Sequence, residues 1–264
     1  MTSPPPRPAV PLVVAHRGSS ARQPENTFAA FDAALDDGAD GLELDVQLTA
    51  DGRPVVFHDA DLRRILQQPR RIDRVPFSLL GSQDVAAHFA PGLAPARVPA
   101  LSEILDRYLG RTYLFVELKR QRTRAASNAL LDRVLDMLPG PGRVERLWLI
   151  GFSLRLMHRA KARRPDVPVA WTHGSPLGAH DRLSAAAATG LDGLLQPARH
   201  ARARTAERLH RNGRWLLTYA CDDPDGVRTA LSAGADVLMA DDPVLLRRRV
   251  EGWLPRSSKA HAGP

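Results

Sequence analysis

The sequence predicts an α/β protein built as a TIM, or (β/α)8, barrel. Three observations carry that expectation. Short apolar runs alternate with amphipathic segments along nearly the whole chain, and repeated strand-then-helix order favours parallel strands covered by helices. Several amphipathic segments close on Gly, the residue that suits a helix C-terminus. The chain has 264 residues, 44% of them hydrophobic. That is enough for one large core, and barrels of this size commonly form a single domain.

The strand candidates, in order, are LVVAH (12–16), GLELDVQL (41–48), PVVFH (54–58), TYLFVELK (112–119) and LWLIGF (147–152). VPVAWT (167–172), DGLLQ (192–196), WLLTYA (215–220) and DVLMA (236–240) follow. Between them lie the helical patterns ENTFAAFDAALDDG (25–38), ALSEILDRYLG (100–110), ASNALLDRVLDMLPG (126–140), SLRLMHRAKARR (153–164), TAERLHRNG (205–213) and PDGVRTALSAG (224–234). One unit departs from the alternation. Between GLELDVQL and PVVFH there is only TADGR, with Asp51-Gly52 as a turn signal and no room for a crossover helix. A β-hairpin over 41–58 is expected, with Glu43 and Asp45 brought opposite Phe57–Asp59. Residues 60–99 are rich in Pro, Gly and Arg, and read as a long loop or short insertion over one barrel mouth. The expected organisation is a disordered lead over 1–10, one barrel over 11–252 and a flexible tail over 253–264.

Composition narrows the function classes. The single cysteine, Cys221, excludes a disulfide framework and a cysteine-built zinc site, and reads as a small buried hydrophobe. No stretch approaches the ~20 apolar residues of a membrane span. The N-terminus, MTSPPPRPAV, lacks the layout of a secretory signal, so a cytoplasmic protein is expected. The net charge of +8, from 37 Lys and Arg against 29 Asp and Glu, favours anionic partners. The basic runs RRIDR, KRQRTR, KARR and RRR fall where solvated helix faces are expected. No helix-turn-helix, zinc pattern or aromatic-interleaved basic strand points to nucleic acid.

In a parallel barrel, functional groups gather where the strands end. Those ends carry His16 and Arg17, Glu43 and Asp45, His58, and Glu117 with Lys119. Glu43 and Asp45 are two apart and face the same way. Leu42, Leu44 and Val46 argue that the opposite face packs on helices, against an exposed edge strand. Two inward carboxylates cannot both stay ionised without a counter-charge, and a hard cation such as Mg2+ or Ca2+ resolves this most simply. Glu117 is a candidate third oxygen ligand with Lys119 beside it; the alternative is a Glu–Lys pair at an exposed strand end. His16 and His58 could be structural, but beside carboxylates they could supply an acid and a base near neutral pH. Arg17 suits bidentate contact with phosphate oxygens. Asn26 or Thr27 could cap the helix that follows, and Glu25 could hold the Arg17 loop.

The stretches HRG, PENTFAAFDAALDDGADGLELDVQLTADGRPVVFHD and VELK resemble the glycerophosphodiester phosphodiesterase family. Weaker similarity runs through GFSLRLM, RPDVPVAWT and CDDPDGVRTALSAGADVLMADDP, so it covers most of the chain. The resemblance implies a TIM barrel and a divalent cation. It implies Glu43, Asp45 and Glu117 as metal ligands, His16 and His58 as the acid–base pair, and Arg17 and Lys119 on the phosphate. The substrate it implies is a small anionic glycerophosphodiester, cleaved to glycerol 3-phosphate and an alcohol. His16 is the expected base and His58 the acid, although the sequence leaves those roles open. It also leaves open the attacking oxygen, the native ion, the head group and the oligomeric state. One departure stands out: Leu217 takes the place of the family's usual Trp, with Trp215 two residues earlier as a substitute. The alternatives are a lysophospholipase D or sphingomyelinase D-like head-group hydrolase, marked by an apolar groove at the rim, and a non-catalytic phosphate-binding barrel. The remaining histidines, His88, His158, His173, His180, His200 and His210, are expected to be structural or exposed, and Asp241 is given no role.

Overall fold

The structure is a computed structural model, which describes residues 5–90, 92–174 and 190–254. Strand β1 (Leu12–His16) pairs in parallel with β2 (Gly41–Leu48). The sheet continues through β4 (Tyr113–Leu118), β5 (Leu147–Gly151), β6 (Val169–Thr172), β7 (Gly193–Pro197), β8 (Trp215–Tyr219) and β9 (Val237–Ala240). β9 then pairs in parallel with β1 and closes the barrel. The expected TIM barrel is present. The expected hairpin is present too: β3 (Pro54–Val56) runs antiparallel on β2, with Val46 opposite Val56. The strand ends at Val56, the Phe57 N–H adds one more bond to the Asp45 carbonyl at 2.9 Å, and Gln47 then holds the segment that follows. Its Nε2 lies 2.9, 3.0 and 2.6 Å from the carbonyls of Phe57, His58 and Asp59.

Five of the helices start where the sequence supplies an oxygen to take up an orphan N–H. Thr27 caps α1 (Phe28–Asp36). Two short helices, α2 (Arg63–Leu66) and α3 (Phe77–Leu80), precede α4 (Leu101–Tyr108). Thr123 caps α5 (Arg124–Met137) and Ser153 caps α6 (Leu154–Arg163). α7 (Ala203–His210) follows β7. Asp223 and Asp242 cap α8 (Pro224–Ala233) and α9 (Pro243–Trp253), each with Pro in the first turn.

Two apolar layers result. Leu42, Leu44, Val46 and their counterparts on the other strands pack outward against the helices. The barrel interior is filled by Phe115, Trp148, Trp215, Leu217 and Met239. The Trp148 and Trp215 rings lie 4.8 Å apart and close the N-terminal end. There the lead lies against the base: Trp215 Nε1 donates to the Pro5 carbonyl at 2.9 Å, and Arg7 meets Asp236 at 2.7 Å. Inward residues therefore run from aromatic at the base to polar at the strands' C-terminal ends: Phe115 then Glu117, Gly41 then Glu43 and Asp45, Val14 then His16.

Residues 60–99 form more than a loop. Val55 and Phe57 of the hairpin pack with Leu62, Ile65, Ile72 and Leu80 into a small separate core. This unit carries α2 and α3, whose four-residue length hides them from any periodicity argument.

The crowded base makes a stability prediction. A Cβ on Gly41 would lie 2.8 Å from Tyr113 Cβ and 2.9 Å from the Tyr113 carbonyl oxygen. Gly41→Ala is expected to destabilise the fold by about 1–3 kcal/mol, the usual cost of overpacking a tight core. Denaturant unfolding measures it, and a change under about 0.5 kcal/mol, typical of neutral surface sites, would show that the wall yields.

Candidate active site

The chain leaves β1 through a turn that only certain residues tolerate. Arg17 has φ +59° and Gly18 has φ +82°. A Cβ on Gly18 would lie 2.6 Å from the Ala30 backbone, so the loop rests directly on α1. This turn aims the Arg17 N–H at Glu43 Oε2, 3.1 Å away. Asn26 also takes a left-handed conformation, φ +59°, which Asn tolerates better than most residues. Its amide donates to Asp45 Oδ2 at 2.9 Å and its oxygen accepts from the Asp45 N–H at 3.2 Å. Of the two candidate caps, Thr27 therefore serves the helix and Asn26 holds a carboxylate.

Glu43 and Asp45 on β2 and Glu117 on β4 bring one oxygen each to within 4.8 Å of one another. Among the described residues this is the one such cluster. Glu43 and Asp45 are almost fully buried. Burial, then the charges of Asp45 and Glu117, push the Glu43 carboxyl up to about 8. Burial and Asp45 raise Glu117 as well. Asp45 escapes: against its burial, Lys119, Arg17, His58 and the Asn26 hydrogen bond hold it down to about 2. Lys119 Nζ lies 3.3 Å from Asp45 Oδ1 and 2.9 Å from Glu117 Oε1, and Arg17 Nε lies 3.1 Å from Asp45 Oδ2. That Arg17 N–H is buried without an aligned acceptor. The all-oxygen, anionic, desolvated donor set fits a hard divalent cation.

The two histidines are fixed in the same manner. His16 Nδ1 bonds Asp241 Oδ1 at 2.7 Å, and His58 Nδ1 bonds Asp59 Oδ1 at 2.7 Å. Each ring therefore keeps Nε2 free to face the cluster; His16 Nε2 lies 3.8 Å from Glu43 Oε2. Their charge environments differ. Burial lowers His16, but the Asp241 hydrogen bond and Glu43 outweigh it and raise it to about 9. Burial also lowers His58, and Lys119 and Arg17 add to it against the pull of Asp45. Asp59 is already committed to Arg64, which reaches it at 2.6 Å and grips Glu25 with two bonds of 2.7 Å. Glu25 in turn accepts from Arg17 at 3.2 Å. One chain of contacts thus ties the insertion, the opening loop and His58 together.

All seven first-rank candidates, His16, Arg17, Glu43, Asp45, His58, Glu117 and Lys119, meet at the strands' C-terminal ends; those other than the buried Asp45 line one cavity of about 360 Å3. Sequence reasoning gave Asp241 no role, although its period-two phase with Val237 and Met239 was a usable signal. It missed Arg64 and Gln47, which nothing local distinguishes. Leu217 is wholly buried inside the barrel, and Tyr219, one inward step further, lines the cavity. Trp215 cannot substitute there, because it closes the opposite end. Cys221 is buried as expected. His173 stacks on Trp171 at 5.3 Å and His210 bonds Asp236. His180 lies outside the described residues.

The sequence model of the glycerophosphoryl diester phosphodiesterase family matches residues 16–245. The chain belongs to that family. Membership makes it a phosphoric diester hydrolase. It is 26% identical over 250 residues to the glycerophosphodiester phosphodiesterase of Caldanaerobacter subterraneus, covering 89% of this chain and 96% of the relative. A solved protein of Silicibacter pomeroyi superposes with a TM-score of 0.82 at 25% identity, over 94% of this chain and 95% of that one. A glycerophosphodiester phosphodiesterase of Agrobacterium tumefaciens superposes with a TM-score of 0.73 at 27% identity, over 90% and 100%.

Two predictions follow from the charges. Asp241→Asn removes the anion that stabilises the His16 imidazolium, so the His16 pKa should fall in an NMR titration, and turnover should drop at least about tenfold where a positioned acid or base is worth ~10²–10⁴-fold. A pKa that stays put would separate Asp241 from His16. Because Glu43 holds a proton up to about 8, a cation entering below that pH must displace it. Cation affinity should rise with pH towards 8 and then level, with proton release visible by calorimetry in buffers of different ionisation enthalpy. Affinity constant from pH 6 to 8 would exclude Glu43 as a ligand.

Proposed function

We propose that this protein hydrolyses glycerophosphodiesters to glycerol 3-phosphate and an alcohol, using a divalent cation, Mg2+ or Ca2+. The observation that carries the reading is the convergence of three desolvated carboxylates, two carboxylate-tethered histidines, Arg17 and Lys119 on one cavity. Family membership supports the reaction class.

Glu43, Asp45 and Glu117 would hold the cation. When bound, it supplies positive charge to a phosphate oxygen, the Lewis-acid aid that an anionic diester most needs. The chain's own groups do the rest. Arg17 and Lys119 place N–H donors beside the phosphoryl oxygens and stabilise the charge that grows there in the transition state. One histidine takes the proton of the attacking oxygen as its bond to phosphorus forms. The other gives a proton to the alcohol oxygen as the opposite P–O bond breaks. Asp241 and Asp59 keep both rings in the tautomer and orientation this needs. Gly18 and the Asn26 turn fix the loop so that no ordering is required at the moment of reaction.

A lipid head-group hydrolase would want an apolar groove at the rim. The large groove beside this cavity is lined by arginines, which favours a small, water-borne diester. Among the described residues no helix is long and apolar enough to cross a membrane.

Purified protein should release glycerol 3-phosphate from a panel of glycerophosphodiesters in the presence of Mg2+ or Ca2+, and EDTA should abolish it. His16→Ala and His58→Ala should each lower kcat by about 10²–10⁴-fold with unfolding midpoints unchanged. Near-normal turnover in either variant would remove that residue from the acid–base pair.

A further inference from the structure

We propose that the basic groove beside the active-site cavity seats the alcohol head group, and that the preferred diesters carry an additional negative charge on that alcohol. This rests on the glycerophosphodiester reading above. The groove has a volume of about 640 Å3 and shares His58, Glu117, Lys119 and Phe152 with the cavity. The two adjoin along these four residues. Glycerol is small and uncharged, so the larger, charged space is left for the other arm of the diester.

The lining is unusual in its charge. Arg120, Arg122, Arg124 and Arg155 all face the groove, with Lys119 at its junction with the cavity. Several arginines elsewhere find carboxylates, Arg97 with Glu103, Arg107 with Asp32 and Arg164 with Asp166. The side chains of these four have no hydrogen bond or ion pair with another described residue. Between Lys119 and Asp132 the sequence offers no Asp or Glu at all. Thr123 and Ser153, the caps of α5 and α6, border the same groove, so the positive ends of two helices add to the field.

A solvated basic face is the alternative, and it explains exposed arginines one at a time. It does not explain why uncompensated cations crowd a concave site that adjoins the catalytic cavity. Like charges held together repel, and an anion among them relieves that repulsion. The concavity and the shared catalytic residues favour a small anionic group, a phosphate monoester or carboxylate on the alcohol, over a flat membrane surface or a nucleic acid.

The test compares matched substrates: glycerophosphoinositol 4-phosphate, glycerophosphoinositol and glycerophosphocholine, with anionic, neutral and cationic head groups. Exposed ion pairs are individually weak, so three arginines together set an expected advantage in kcat/KM of about tenfold for the phosphorylated substrate over glycerophosphoinositol at low salt, carried mainly by KM. Added salt should erode it, since screening sets in at about 10 Å in 0.1 M salt. The triple variant Arg120→Gln, Arg122→Gln, Arg124→Gln should lose the advantage, with glycerophosphoinositol turnover within about twofold of the parent where exposed side chains carry little else. Equal rates on the three substrates, a preference for choline, or an advantage that survives in the triple variant would each overturn the proposal. So would a uniform loss on all substrates, or arginine-dependent sedimentation with phosphatidylglycerol vesicles without head-group preference. If the parent protein cleaves none of the three, the glycerophosphodiester reading falls, and this proposal with it.

Discussion

The rim of this barrel is organised around three carboxylates held out of water within reach of one another. Glu43, Asp45 and Glu117 repel in a setting where desolvation already disfavours their charge. The surroundings settle the conflict unequally. Asp45 receives Lys119, Arg17 and the Asn26 amide and keeps its charge, while Glu43 and Glu117 are pushed towards the protonated form. Such a cluster is poor as a source of stability, because buried ion pairs recover little beyond their desolvation cost. It is well suited to capturing a cation, which gives every oxygen a partner at once.

The barrel is what keeps the three oxygens together. Parallel pairing of β2 with β4 sets Asp45 beside Glu117, and pairing of β1 with β2 sets His16 beside Glu43. With alternate residues pointing inward, each strand delivers its last inward side chain to the same rim. The aromatic base does the complementary task. Trp148, Trp215 and Phe115 fill the far end, so the interior is a floor under the site and not a channel.

The irregular parts make the site specific. Gln47 anchors the segment after β3, which brings His58 to the same cavity as His16. Arg64, from the small insertion, grips Glu25 and Asp59 together, so the insertion is tied both to the opening loop and to the His58 partner. The two histidines consequently stand in unlike fields. Asp241, the partner of His16, forms no ion pair with Lys or Arg among the described residues, whereas Asp59, the partner of His58, is shared with Arg64. Past His58 the surface turns strongly basic, and the chemistry of the rim runs on into the groove.

The sequence by itself determined the fold class and singled out the seven groups that meet at the rim. Strand periodicity is local, and a residue's inward phase at a strand end can be counted from its neighbours. The hairpin was equally local, since Asp51-Gly52 leaves no room for anything else. The tertiary structure decided what local pattern does not encode. It showed Asn26 serving Asp45 while Thr27 caps the helix. It put Tyr219 at the rim of β8 and Trp215 at the base, because barrel depth depends on the stagger between strands. It recruited Asp241, Arg64 and Gln47, whose partners lie 225, 39 and about 10 residues away in sequence. Contacts closed by the fold across such separations leave no periodic trace in the chain, and one of them, Asp241 on His16, helps raise that histidine's pKa.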